Sequence, residues 1–146
     1  MKTIFQNAAI VSRIRGAIDQ WVTFERTESE AKQSTGHPQR ALVPALVRQL
    51  QRYGLYQELF ESFYLKQTHE FYEAESKRLR ETLQASAFVV HVKNRDDQEY
   101  QRALALLPAP TAGKVALETT TALLGLHMDW IATEGACVVC PFGTAG

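Results

Sequence analysis

Two cysteines near the end of the chain have the spacing of a thiol or metal motif. Cys137 and Cys140 enclose two valines and are followed by a proline. Two thiolates at this spacing can form one edge of a tetrahedral zinc site or a redox pair. Structural zinc needs four ligands, and the sequence holds no second cysteine pair. We predict that the pair binds no metal, because it supplies only half of a tetrahedral site. A redox motif would follow a strand and open a helix, so we interpret the pair as incidental.

A histidine and a glutamate in the middle of the chain form a second candidate. His69 and Glu73 stand four residues apart, so on a helix they would share one face. This is part of the HExxH pattern of zinc proteases, but Glu73 replaces the second histidine and no third ligand is evident. We interpret the two residues as a solvated face of a core helix. His91 and His127 lie beside apolar stripes, which favours hydrogen-bonded packing residues over catalytic bases.

Composition and motifs exclude several functions. The 16 basic and 16 acidic residues of this 146-residue chain cancel, which gives no electrostatic reason to bind nucleic acid or an anionic membrane. The longest apolar runs are far too short to span a bilayer. No GxSxG nucleophile and no glycine-rich phosphate loop occur. We predict no catalytic residue, no cofactor and no metal. With two cysteines and no signal-like apolar block, we expect a location in the cytoplasm or nucleus.

The elements that would position these residues have helical patterns. The longest stretch, Leu55 to Leu83, contains neither proline nor glycine, and its apolar residues recur at helical spacing. Shorter patterns of the same kind predict four further helices, over residues 3–24, 39–53, 88–107 and 111–132. No segment alternates as a strand does. The sequence therefore predicts an all-α, five-helix bundle in a single domain.

Prolines, glycines and threonines indicate where these helices begin and end. Pro44 would disrupt a helix interior, so we place it in the first turn of a helix that starts near Ala41. Gly54 is the expected C-cap of that helix. Thr111, which follows two prolines, is the expected N-cap of the last helix.

The long stretch also carries a series of residues at fixed spacing. The series is Tyr56, Phe60-Glu61, Tyr64-Leu65, Thr68, Tyr72 and Glu75-Ser76, and it continues in register through Phe88, Val92, Arg95, Glu99, Arg102, Leu123-Leu124 and His127. It resembles the cullin repeat, with Tyr64 in place of the usual phenylalanine. The resemblance covers about residues 3 to 134. The branch that it most resembles is the fourth type of cullin, which uses a β-propeller adaptor.

The residues of this register are interpreted as core rather than as a ligand site, because spacing of three to four residues is what helix packing demands. The predicted structural core is Phe60, Tyr64, Leu65, Tyr72, Phe88, Val92, Leu123 and Leu124. A carboxylate on the inner edge of a helix must be paired, so we predict that Glu75 pairs with Arg95 and fixes helix register. Arg95 could also pair with Glu99, four residues further on.

Two residues depart from the cullin pattern. Asp96 stands where cullins usually have leucine, and Thr120 stands where they usually have glutamate. Because each exchange removes a contact that the family pattern contains, we expect both to weaken the interior of the bundle.

The resemblance implies a division of the chain. Residues 1–24 would be the end of a preceding cullin-like repeat that runs into the next, and residues 39–134 would be a cullin repeat. Residues 135–146 match no cullin continuation, and we expect a disordered tail. The chain would then be part of an α-helical repeat stalk, and its end faces would be left uncovered.

Cullins are the rigid scaffolds of multisubunit RING-type ubiquitin ligases. The resemblance therefore implies a non-catalytic scaffold segment, a rigid spacer in ubiquitin-dependent protein catabolism. Its direct partners would be neighbouring cullin repeats, and the adaptor and RING subunit would be reached only through the full-length protein. Two alternatives remain open: a small thiol or metal-binding protein that uses Cys137 and Cys140, and a non-functional fragment from a truncated reading frame.

Overall fold

The computed structural model describes residues 8–28 and 38–135, which form helices and short turns without any strand. Six α-helices follow in order: α1 (Ala8–Glu28), α2 (Val43–Arg52), α3 (Ser62–Arg80), α4 (Ala85–Leu106), α5 (Ala109–Leu124) and the short α6 (Met128–Trp130). A 3₁₀ turn (Pro38–Leu42) leads into α2, a π-helical turn (Gln57–Glu61) precedes α3, and a second π-helical turn (Ile131–Gly135) follows α6. The predicted all-α fold is confirmed. No helix of the described ranges is both long and apolar enough to cross a membrane.

The ends of α2 follow the local chemistry of the chain. Pro44 lies in the first turn, where a missing N–H removes no helical hydrogen bond. At the other end Gly54 has a φ of +69°, a left-handed conformation that glycine adopts without strain. The Gly54 N–H donates to the Gln51 carbonyl at 3.1 Å and the Leu55 N–H to the Leu50 carbonyl at 2.8 Å. This pair of bonds is a Schellman motif, and it ends α2 where the sequence predicts.

The beginning of α5 differs from the prediction. The helix starts at Ala109, and its N-cap is Pro108, with extended backbone angles, rather than Thr111. Thr111 lies in the first helical turn, and its N–H donates to the Pro108 carbonyl at 2.9 Å. The prolines cause the early start, because a residue without an N–H is well suited to the first turn of a helix.

The predicted last helix, to residue 132, is interrupted. α5 ends at Leu124, and the backbone of His127 leaves the helical region with φ −124° and ψ 12°. At Gly125 a Cβ would lie 2.8 Å from the Thr121 carbonyl oxygen, so the turn accepts only glycine without adjustment. The His127 side chain of this turn lies 3.0 Å from the Ser76 Oγ of α3.

The chain divides into two compact units, residues 1–67 and residues 68–146. The first unit contains a ladder of rings: Phe60 stacks on Tyr56 at 5.5 Å and on Tyr64 at 5.8 Å, and Trp21 contacts Tyr64 at 5.9 Å. Phe60, Tyr64 and Trp21 are fully buried, and Leu65 is half-buried. The four-residue spacing of the ladder places successive rings one turn apart.

In the second unit α4 packs along α5, and the π-helical turn after α6 packs against α4. The core of this unit contains buried residues from three helices: Tyr72, Phe88, Val92, Ala122 and Leu123. Half-buried apolar residues surround it, among them Leu124 and Trp130. The Phe88 and Trp130 rings meet edge to face at 5.4 Å, so Trp130 attaches α6 to α4.

Candidate functional site

The two charged residues singled out in the sequence lie together inside the second unit. Glu75 on α3 and Arg95 on α4 are only 3% and 2% exposed. The Arg95 Nη2 donates to the Glu75 Oε1 at 2.8 Å, and its Nε donates to the Oε2 at 3.1 Å. Both carboxylate oxygens are thus held by one planar guanidinium, the bidentate geometry that gives the strongest and most directional ion pairs. Such a pair can bind two helices in one register.

Further side chains extend this pair. The His91 Nε2 lies 2.8 Å from the Glu75 Oε2, and Arg95 also donates from Nη1 to the Gln98 side chain at 3.0 Å. Arg78 approaches Glu75 from the exposed side of α3 at 3.8 Å. We call Glu75, His91 and Arg95 the α3–α4 charge cluster.

The α3–α4 charge cluster changes the acidity of its carboxyl group. Burial alone would raise the pKa of Glu75, since a charged group is less stable away from water. Hydrogen bonds from His91 and Arg95, together with their positive charge, outweigh burial and lower the pKa of Glu75 below its usual value of 4.5. Glu75 is therefore a carboxylate at neutral pH, as the ion pair requires.

A second buried carboxylate lies one turn further along α4. Glu99 accepts hydrogen bonds from the Tyr72 hydroxyl and, at 2.7 Å, from the Arg102 Nη1. The Arg95 guanidinium stands over the Tyr72 ring at 5.4 Å and so links this group to the α3–α4 charge cluster. The sequence suggested Arg95 as a possible partner for Glu99. In the structure Arg102 donates to Glu99. The spacing of these two residues could have indicated the contact, because residues three apart are neighbours on a helix.

A serine and a histidine join α3 to the turn before α6. The Ser76 hydroxyl donates to the Glu73 carbonyl at 2.7 Å, and the His127 Nε2 lies 3.0 Å from the Ser76 Oγ. A hydroxyl has a single proton, so the His127 Nε2 must be the donor in the second bond. Burial and the positive charges of Arg80 and Lys77 lower the pKa of His127 below its usual value of 6.5. His127 is a neutral packing residue at physiological pH.

The first unit contains a polar cluster of its own, which sequence reasoning missed. Glu25 accepts a bond from the Trp21 Nε1 at 2.6 Å and another from the Arg40 Nη1 at 2.5 Å. Arg26, fully buried beside them on α1, donates to the Gln67 side chain and stands over the Tyr64 ring at 5.5 Å. The charges of α1 are thus compensated where they enter the core, as buried charges must be.

One of the candidate metal ligands, His69, contacts carboxylates of two helices. His69 lies 3.6 Å from Glu73 and 2.8 Å from Glu118 of α5, so its ring bridges two helices. Within residues 8–28 and 38–135, no group of three or more histidine, cysteine, aspartate or glutamate residues could hold a metal ion. Cys137 and Cys140, and the rest of the predicted tail after Gly135, lie outside the described residues.

The two departures from the cullin pattern meet each other in space. The Thr120 Oγ1 on α5 donates to the Asp96 Oδ1 on α4 at 3.0 Å, and both side chains are half-buried. The expectation that the two residues weaken the interior stays a prediction. Each supplies a hydrogen-bonding partner to the other at the interface of α4 and α5.

Comparison with known proteins shows the family of the chain. The family model described as the cullin alpha solenoid domain matches residues 1–140. The chain belongs to the cullin family. The resemblance seen in the sequence is thus confirmed, and the matched range also includes Cys137 and Cys140.

Two curated cullins are similar to part of the chain. Cullin-4A of Mus musculus and cullin-4A of Homo sapiens are each 28% identical to it over 96 residues. The aligned part is 66% of this chain but only 13% of each relative. Both relatives are of the fourth cullin type, the branch that the sequence resembles.

Proposed function

We propose that this chain is a scaffold segment of a cullin-RING ubiquitin ligase and acts as a rigid spacer in ubiquitin-dependent protein catabolism. The observation that carries the proposal is the match of the cullin alpha solenoid domain over residues 1–140. The role is non-catalytic and is performed in the cytoplasm or nucleus. It consists in holding other parts of the ligase at a fixed distance.

The buried charges support a rigid role. Glu75 and Arg95 would both be left uncompensated if α3 slid or rotated against α4, and removal of one partner from a buried pair costs about 3–5 kcal/mol. The same movement would break the hydrogen bond from Tyr72 on α3 to Glu99 on α4, one turn away. Two polar links at different heights between the same helices oppose both sliding and rotation, which is what a spacer requires.

The apolar surface of the first unit supports the proposed partners. A groove with a volume of about 420 Å³ lies beside α1 and α2, and its lining includes Ile10, Ile14, Trp21, Leu42 and Leu46. We name this surface the α1–α2 groove. Solenoid repeats bury such faces against their neighbours, so a neighbouring cullin repeat is the proposed occupant. Adaptor and RING subunits would be reached only through other parts of the full-length protein.

The proposal is tested by asking what the native polypeptide binds. An antibody raised against the α3–α4 region would be used to precipitate it from cells, and the associated proteins would be identified by mass spectrometry. We expect RING-type ubiquitin-ligase subunits, and we expect excess recombinant chain to remove them from the precipitate. A precipitate that contains the polypeptide but no ubiquitin-ligase subunit would refute the scaffold role.

A further inference from the structure

The turn between α5 and α6 contains a buried histidine with an unusual hydrogen-bonding pattern. His127 is 6% exposed, and its Nε2 donates to Ser76. Its other ring nitrogen, Nδ1, is buried without a hydrogen-bond partner in the described part of the chain. In the neutral ring Nδ1 is an acceptor, and leaving it unpaired is tolerable. After protonation it would become a buried N–H donor with a positive charge and no acceptor, which is far more costly.

Among the described residues, the charged groups that act on His127 do not compensate the positive charge that protonation would give the ring. From α3 the charged groups that act on the ring are Arg80 and Lys77, and both oppose protonation. From α4 the ring meets Phe88 edge to face at 5.7 Å, and within its own segment it meets Trp130 at 6.4 Å. Asp129, the nearest carboxylate along the chain, is exposed.

The same ring attaches the end of the described chain to the rest of the second unit. α6 contains only three residues, and the π-helical turn after it packs against α4. Two further side chains pack this segment against the unit. Trp130 contacts Phe88 and lies under the Arg80 guanidinium at 4.5 Å, and Ile131 packs against the core. A protonated His127 could reach water only by turning out of its site. That movement would break the bond to Ser76 and both ring contacts.

We propose that His127 is an acid-sensitive latch, which holds residues 128–135 against α3 and α4 while neutral and releases them when it is protonated. Because the pKa of His127 is lowered in the folded chain, the released state binds the proton more tightly than the docked state. Docking is therefore strongest above pH 6.5, the usual value for histidine, and weakens as the pH falls below it toward the folded pKa. In that interval the opening constant rises by up to about tenfold per pH unit, the slope for uptake of one proton.

The test uses the whole 146-residue chain between pH 7.5 and pH 5. Hydrogen exchange of the amides of residues 128–135, corrected for intrinsic rates, reports release, and the NMR signals of the His127 ring report protonation. We expect exchange to accelerate as the pH falls below 6.5, and the ring to titrate with a midpoint below 6.5. An unchanged protection of residues 128–135 over this range, or a ring that titrates at or above 6.5, would overturn the latch.

Two variants separate the latch from general acid destabilisation. Lys77→Gln removes one repelling charge at an exposed position and should move the midpoint to higher pH, whereas Lys93→Gln on α4, the matched control, should leave it in place. His127→Gln keeps a donor for Ser76 but cannot titrate, so docking should become independent of pH. If His127→Gln does not fold, Lys77→Gln decides, and an unmoved midpoint in that variant refutes the proposal.

Discussion

At the scale of single residues, the buried carboxylates of α3 and α4 are paired with specific side chains. Glu75 has Arg95 and His91, and Glu99 has Arg102 and the Tyr72 hydroxyl. A buried ion pair does not always add stability compared with an apolar pair, because both charges lose their hydration. Its main consequence is that removal of either partner alone leaves an uncompensated buried charge and destabilises the fold.

The first prediction concerns the Glu75–Arg95 pair. Arg95→Met leaves a buried carboxylate without its bidentate partner and should lower the free energy of unfolding by about 3–5 kcal/mol. Glu75→Leu combined with Arg95→Met should cost less than Arg95→Met alone, because neither charge of this pair then remains buried without its partner. Urea denaturation measures both, and Glu70→Gln on the exposed face of α3 is the control, expected within about 0.5 kcal/mol of the parent. A double variant less stable than Arg95→Met alone would contradict the account.

The second prediction is the pH dependence of the same pair. The pKa of Glu75 is lowered in the folded chain, so its contribution to stability is complete above 4.5, the usual value, and is lost as the pH falls through the folded pKa. Denaturation of the parent and of Glu75→Gln from pH 7 to pH 3 should therefore show a stability difference that shrinks toward acid. A difference that stays constant over this range would mean that the charge of Glu75 contributes nothing.

The third prediction concerns the ring ladder. Phe60 is fully buried between Tyr56 and Tyr64, so Phe60→Ala should cost about 3–5 kcal/mol in the free energy of unfolding. Phe24→Ala is the matched control, because Phe24 is 38% exposed and the same chemical change there leaves a smaller cavity. Equal losses for the two variants in urea denaturation would show that the ladder is not a core.

At the scale of elements, the interface of α4 and α5 depends on a polar contact that neither helix predicts by itself. Asp96 and Thr120 are half-buried, and each polar group has a partner because the Thr120 hydroxyl donates a hydrogen bond to the Asp96 carboxylate. Val92 and Leu123 contribute apolar side chains from the same two helices to one core. A polar contact beside an apolar core fixes the alignment of two helices, since any other alignment leaves it unsatisfied.

The fourth prediction is an energetic coupling between these two residues. In a double-mutant cycle of Asp96→Leu and Thr120→Val, the two single changes should sum to more than the double change, with a coupling of about 0.5–3 kcal/mol. The exposed Lys93–Asp97 pair of α4, 3.4 Å apart, provides the control cycle, and its coupling should be much smaller. Additive effects of Asp96→Leu and Thr120→Val would show that the contact is incidental.

At the scale of the whole molecule, each unit presents apolar surface to its surroundings. In the first unit this is the α1–α2 groove, where Leu42 is 65% exposed. In the second unit Leu117 is 67% exposed, and Leu126 and Met128 are also exposed. Exposed patches of this kind promote association, which agrees with a proposed place among stacked repeats.

The fifth prediction is that the 146-residue chain self-associates through the α1–α2 groove. Leu42→Glu introduces a charge at the groove and should shift the chain toward monomer in sedimentation velocity. Ala45→Glu adds the same charge at an exposed position of α2 outside the groove lining and should not. A parent chain that is monomeric at all concentrations would contradict this prediction.

The sequence by itself determined the features that depend on neighbours along the chain. Helical periodicity predicted the elements, Pro44 and Gly54 marked the ends of α2, and the cullin register identified the family. These signals are local because propensity, capping and periodicity act over about four residues. The Glu75–Arg95 contact was also predictable, since both residues belong to the family register.

Only the tertiary structure decided which distant side chains meet. Thr120 and Asp96 are 24 residues apart, Tyr72 and Glu99 are 27 apart, and Ser76 and His127 are 51 apart. Whether such residues touch depends on how each helix is rotated about its axis, and packing of the whole core sets that rotation. The same is true of the end of α5 at Leu124, where His127 contacts Ser76 of α3 although the helical pattern of the sequence continues to residue 132.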